Sequence, residues 1–280
     1  MASLGTYNTL TIVRAVDFGY YLDGGELGEI LLPKRYITPT MHINGQVEVF
    51  VYLDGEERVV ATTENALAQV GHFANLRVAS VGKIGAFLDW GVKKELLCPF
   101  AEQRIRMEEN RFYLVYVYID PITNRIVASS KLDKFIDLKL PQYTANQAVE
   151  LLVWTQTDFA YKCIINEAHA GILYKNEVFQ PLKPGHKYQG FIKKVREDGK
   201  IDLALEKQGH EKLDDLSAAL LQKIVQAGGF LPLTDHSSPD DIYDEVEMSK
   251  KNFKKAIGIL YKQRRIQILE KGIQVIDSKK

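Results

Sequence analysis

The sequence predicts a mainly β chain with an α-rich C-terminal domain, and two observations predict it. A pattern of five short strands recurs three times before residue 208, and beyond it apolar residues switch from alternation to steps of three and four. Small antiparallel barrels in tandem, followed by a helical domain, are the architecture that fits both. The expected boundaries are 1–65, 66–145, 146–210 and 211–280.

The repeat is clearest at its second strand: VDFGYYLD at 16–23 is echoed by GKIGAFLD at 82–89 and, more loosely, by TDFAYKCI at 157–164. A short apolar run follows each, GEILLPKRY at 28–36, KELLCPFAE at 94–102 and AGILYKNEV at 170–178. Next comes a long alternating strand, at 46–54, 111–120 and 187–195. Asp54-Gly55, Asp120-Pro121 and Asp198-Gly199 then mark turns, and RVVATT, RIVASS and KIDLAL close the three units. Gly19 and Gly85 sit early in the second strand, where a bulge or sharp bend lets a small barrel curve. Such a bulge turns two rings three apart onto one outer face, so Leu22 and Leu88 are expected inside, with Phe18, Tyr21 and Phe87 outside. The competing reading is that these rings are barrel core or cross-strand packing, since Tyr and Phe favour strands anyway.

Five strands with a short irregular piece before the fourth resemble an OB-fold, whose second strand and adjoining loops form an oligonucleotide face. More narrowly, the three stretches and their closing strands resemble the RNA-binding module named after ribosomal protein S-one, in three copies over about residues 5–207. The resemblance implies two exposed aromatics on the second strand, a histidine or aromatic ending the third, and a basic residue after the fifth. The first unit supplies Phe18 and Tyr21 but has Pro33 and Glu64 at the other two places, an incomplete surface. The second is a partial match, with Phe87 and Lys131 but Ile84 and Pro99. In the third, Phe159 and Tyr174 fill aromatic places, Lys162 replaces the second ring with Tyr161 beside it, and Lys207 supplies charge. With Lys175, Lys187, Lys193 and Lys194 nearby, although Ala160 stands where glycine is expected, this is the best furnished of the three.

After Gln208, Leu213, Leu216, Leu220, Ile224 and Ala227 predict an amphipathic helix ended by Gly228-Gly229. Ser238, Pro239, Asp240 and Asp241 read as the cap, first position and dipole partners of a second helix, and Ser249 as the cap of a third. Phe253, Ile257 and Leu260 give the third helix an inward face, and RIQILEKGIQVI at 265–276 reads as a two-stranded ribbon. This arrangement over 211–277 resembles a winged helix. Between 249 and 271 eight basic residues, Lys250, Lys251, Lys254, Lys255, Lys262, Arg264, Arg265 and Lys271, face one acid, Glu270. From 235 to 247 six acids stand with no lysine or arginine. A solvated helix face is the plain reading of such a run; a phosphate-contacting surface is the functional one. The order of parts, with LLP at 31–33, resembles the bacterial conserved virulence factor B family, which implies an RNA-binding regulator.

The formal charge of zero removes global attraction to polyanions, so binding has to come from local patches. No apolar run approaches bilayer length and the start MASLGTYNTL lacks a signal pattern, which points to a cytoplasmic protein without membrane contact. Cys98 and Cys163 are expected as buried thiols, and neither metal nor cofactor is called for. The expected function is non-catalytic binding of single-stranded RNA by stacking and phosphate contacts. Three other readings stay open: duplex DNA held by the helix at 249–263, a protein partner or self-association through the winged helix, and a nuclease whose metal sits on Asp240, Asp241, Asp244 and Glu245.

Overall fold

The computed structural model describes residues 2–137, 142–178, 181–207 and 210–276, with the backbone alone at 177 and 210–215. The first barrel is built from β1 (Tyr7–Val16), β2 (Gly19–Asp23), β3 (Glu29–Pro33), β4 (Gln46–Leu53) and β5 (Val59–Thr62). The second uses β6 (Phe73–Val81), β7 (Gly85–Asp89), β8 (Leu96–Pro99), β9 (Phe112–Ile119) and β10 (Ile126–Ser129). The third uses β11 (Ala148–Gln156), β12 (Ala160–Ile165), β13 (His169–Tyr174), β14 (Lys187–Val195) and β15 (Ile201–Ala204). All three are closed with one strand order, in which the fifth strand sits between the third and the fourth. Closure leaves no unpaired sheet edge, as the alternating, turn-punctuated sequence requires.

Register corrects the expected origin of the curvature. The irregularity lies in the first strand of each barrel rather than the second, between Ile12 and Arg14, Val78 and Ser80, and Val153 and Thr155. Val13, Ala79 and Trp154 are therefore the extra residues, at equivalent places. The strand glycines answer a different demand: a Cβ on Gly19 would stand 2.3 Å from the Leu32 carbonyl oxygen, and one on Gly85 2.3 Å from that of Cys98. The third strand passes too close for a side chain. Gly19, Gly85 and Ala160 pair with Pro33, Pro99 and Tyr174, so these three occupy one register position.

Contacts divide the chain into two compact units, residues 1–141 with 150–188, and residues 142–149 with 189–280. Inside the first unit the barrels are docked rather than strung. Phe50 of β4 meets Trp90 edge-on at 5.4 Å, within an apolar cluster that joins Tyr52 and Val60 of the first barrel to the core of the second. The Tyr7 hydroxyl accepts from Ala66 N–H at 2.7 Å, and Arg125 pairs with Glu57. A second joint carries Phe73, Leu132, Leu152, Trp154 and Ile164, with Phe135 stacked on Tyr116 at 4.1 Å. Glu167 fixes this joint by accepting from the Phe73 N–H at 2.9 Å and from Lys187 at 3.0 Å.

The second unit holds α1 (His210–Gln226), β16 (Phe230–Leu231), α2 (Pro239–Val246), α3 (Lys250–Lys262), β17 (Ile266–Leu269) and β18 (Gly272–Val275). Gly228 and Gly229, both in the left-handed region, stop α1. The Ser238 and Ser249 hydroxyls accept from Asp241 and Asn252 N–H and cap α2 and α3. Leu220, Ile224, Ile242, Phe253, Ile257 and Leu260 form the core. Ala227 lies past the helix end and is exposed, and the Leu213 side chain is outside the described residues. The expected ribbon gains a third strand, since the short β16 pairs with β18.

Candidate nucleic-acid interface

On the first barrel, pairing of Gly19 with Pro33 and Tyr21 with Leu31 turns one face of β2 outward while Leu22 is fully buried. Phe18, just before the strand, is 57% exposed, and its ring meets that of Tyr21 edge-on at 6.4 Å. The β1 bulge brings Arg14 opposite Tyr21, and its guanidinium lies 3.9 Å from the ring centroid. Glu29 holds Arg14 there at 2.7 Å; this hydrogen bond raises the guanidinium pKa and lowers that of the carboxylate. Arg14 was not foreseen, because only the bulged register puts it beside the ring. One face of Tyr21 is thus already taken by a cation.

The second barrel presents Ile84, 59% exposed, where the first has Phe18. Phe87 is half-buried over Gly82 and lines a cleft of about 170 Å³ with Ile84, Trp90, Leu97 and Arg125. Leu88 points inward, as its alternation with Phe87 demands. Lys131 follows β10 and is exposed. Nearby, burial opposes ionisation of Glu102, but hydrogen bonds from Lys134 at 2.6 Å and Ser129 outweigh it and lower its pKa.

The third barrel carries the most exposed ring of the repeat, Phe159 at 80%. Tyr174 and Lys175, at the end of β13, are half-buried. Two expectations fail here. Tyr161 is only 4% exposed: strand alternation turns it inward beside Cys163, where its hydroxyl accepts from Leu182 N–H at 3.2 Å. Lys162 does point outward, but its ammonium sits 3.7 Å from the Trp154 ring and 3.0 Å from Asp133 of the segment after β10. It serves the joint between the second and third barrels. Lys193 falls in an irregularity of β14 and is half-buried, Lys194 is exposed opposite Asp202, and Lys207 is half-buried.

In the helical domain Lys251 and Lys255 project from α3 into solvent, and Arg264, Arg265 and Lys271 are exposed around the β17–β18 hairpin. Lys254 is exposed but 3.7 Å from Asp235. Lys250 departs from the expectation: its ammonium donates to the Ser237 carbonyl at 2.8 Å and ties down the loop before α2. Asp240 and Asp241 occupy the first turn of α2, where the helix dipole favours them. Among the described residues no group of three or more His, Cys, Asp or Glu is placed to hold a metal ion. Burial pushes the Cys98 and Cys163 thiols up to about 12 and keeps them protonated. None of the described helices is long and apolar enough to cross a membrane.

Residues 4–64 match the S1 domain family, and residues 218–275 match the CvfB-like winged helix domain. In the order of its parts the chain is similar to the conserved virulence factor B proteins. The Staphylococcus aureus (strain USA300) conserved virulence factor B is 22% identical over 292 residues, covering 99% of this chain and 97% of that protein. An uncharacterized Bacillus subtilis protein, YitL, is 26% identical over 277 residues, 94% of this chain and 90% of that one. A solved multidomain protein with nucleic acid binding domains from Streptococcus pneumoniae is 23% identical over 98% of both chains, with a TM-score of 0.40. The two matches join an S1 domain, a nucleic-acid-binding kind of domain, to a winged helix. Neither is a catalytic kind of domain.

Proposed function

We propose that this chain is an RNA-binding regulatory protein that holds single-stranded RNA without catalysis. The observation that carries the reading is the exposure of Phe18 and Phe159 at equivalent places on two barrels of one topology. A large ring in water has no folding advantage to offer, whereas a stacked base gains about 1–3 kcal/mol from such a platform. Tyr21, Phe87 and Tyr174 are further rings for stacking on the individual barrels, and Lys131, Lys175, Lys194 and Lys207 are further cations for phosphates. In the helical domain Lys251, Lys255, Arg264, Arg265 and Lys271 add backbone contacts that carry no base choice.

The test is a fluorescence titration of the full chain with single-stranded RNA at two salt concentrations, in competition with duplex DNA. Tight binding to the single strand that weakens with salt supports the reading. Absent or salt-indifferent binding overturns it. Preference for the duplex would transfer the function to α3, whose exposed Lys251 and Lys255 are the observation favouring that second reading.

A further inference from the structure

The first barrel has Glu64 at the place where the S-one resemblance implies a basic residue. The structure shows what that carboxylate does instead. It accepts from the Tyr36 hydroxyl at 2.7 Å and, across the joint, from the Lys93 N–H of the second barrel at 3.0 Å. The neighbouring Lys94 ammonium donates to the Asp54 carbonyl at 2.6 Å. The β7–β8 loop is therefore fastened against the first barrel with two lysines in it.

Between loop and barrel runs a groove of about 450 Å³. Its floor is Leu31, Pro33, Tyr52 and Val60, and its rim is Arg35, Arg58, Lys93 and Lys94, with Asp54 the one acid. The floor continues the Tyr21 platform: Tyr21 pairs with Leu31, Leu31 with Val60, and Val60 with Tyr52. Directly paired residues share a sheet face, so the row is unbroken. Pro33, opposite Gly19, brings the groove beside Phe18. Asp54 is answered by Arg58 at 2.7 Å, while among the described residues neither Lys93 nor Arg35 has an ion pair, and both are exposed.

We propose that this groove is the continuation of the RNA track, and that its cationic rim is shared between Arg35 of the first barrel and Lys93 of the second. A flat apolar floor beside a cationic rim suits a chain with planar bases on one side and phosphates on the other. Lys93 and Arg35 contact phosphate, and Glu64 is the positioning residue that holds the loop in place. The inference rests on the single-stranded RNA reading.

The experiment measures affinity of the full chain for a labelled oligouridylate across a salt series, for the native protein, Lys93→Ala, Arg35→Ala and Lys93→Arg. Each alanine variant is expected to weaken binding several-fold and to reduce the log–log salt slope by about 0.7, the share of the slope that one neutralised phosphate carries on a single strand. Lys93→Arg keeps both. Two variants on opposite walls guard against a folding defect in one of them. Native-like affinity and slope in both alanine variants, while the native chain binds, would remove the groove and leave the RNA reading standing. Failure of the native chain to bind removes both. Displacement of the RNA by millimolar inorganic phosphate at matched ionic strength would assign the groove to a free anion and overturn the strand.

Discussion

The first and third barrels put the same strand position to opposite uses. Position 21 on the first barrel is a tyrosine at the surface, with Arg14 laid over one face of its ring. The equivalent position on the third, Lys162, is folded onto Trp154 and paired with Asp133, inside a joint. The difference begins one strand away. The extra residue of the bulge is Val13 in the first barrel, 41% exposed, and Trp154 in the third, almost wholly buried. A large ring at that site recruits a neighbouring barrel, and the outward side chain beside it is drawn into docking. A small one leaves the face open. Membership in a repeat fixes the scaffold of a position but not its role.

The strongest way to break this comparison is Trp154→Ala. Loss of a buried indole is expected to destabilise the chain by about 3–5 kcal/mol, seen as a lower urea midpoint. A cost near zero would show that the third barrel does not depend on that anchor. Next come the exposed rings: Phe18→Ala and Phe159→Ala should each weaken RNA binding by about 1–3 kcal/mol while urea midpoints stay within about 0.5 kcal/mol of native. Loss from Phe159→Ala alone would make the third barrel the only one that stacks. The smallest effect belongs to Lys162→Ala, about 0.5–1 kcal/mol of stability from a half-exposed cation–π contact and ion pair. Its RNA affinity should match the native chain; a clear drop would return Lys162 to the binding surface.

Features written locally were readable in the residues. Asp-Gly turns, the Ser238 and Ser249 caps and the Gly228-Gly229 stop each depend on neighbours within a few positions, and the structure has them where expected. The exposure of Phe18 and Phe159 also follows from their place at the start of a strand. What escaped depends on partners far away in sequence. Lys162 meets Asp133 of another barrel, and the bulge that aligns Arg14 with Tyr21 shows only once two strands are in register. Tyr161 and Lys162 are adjacent and both expected on the binding face, yet alternation sends one inward and the other outward, and aromatic character says nothing about which. The β16 strand, two residues long, is below the length at which periodicity carries information.

The apolar seam through Phe50, Tyr52, Val60 and Trp90 has a thermodynamic consequence of its own. Beads on a flexible string would melt independently, each at its own temperature. Here part of the second barrel's interior is furnished by the first, so neither can lose its tertiary order without exposing the other's hydrocarbon. The two should therefore denature as one cooperative block, with a single calorimetric enthalpy sized to both.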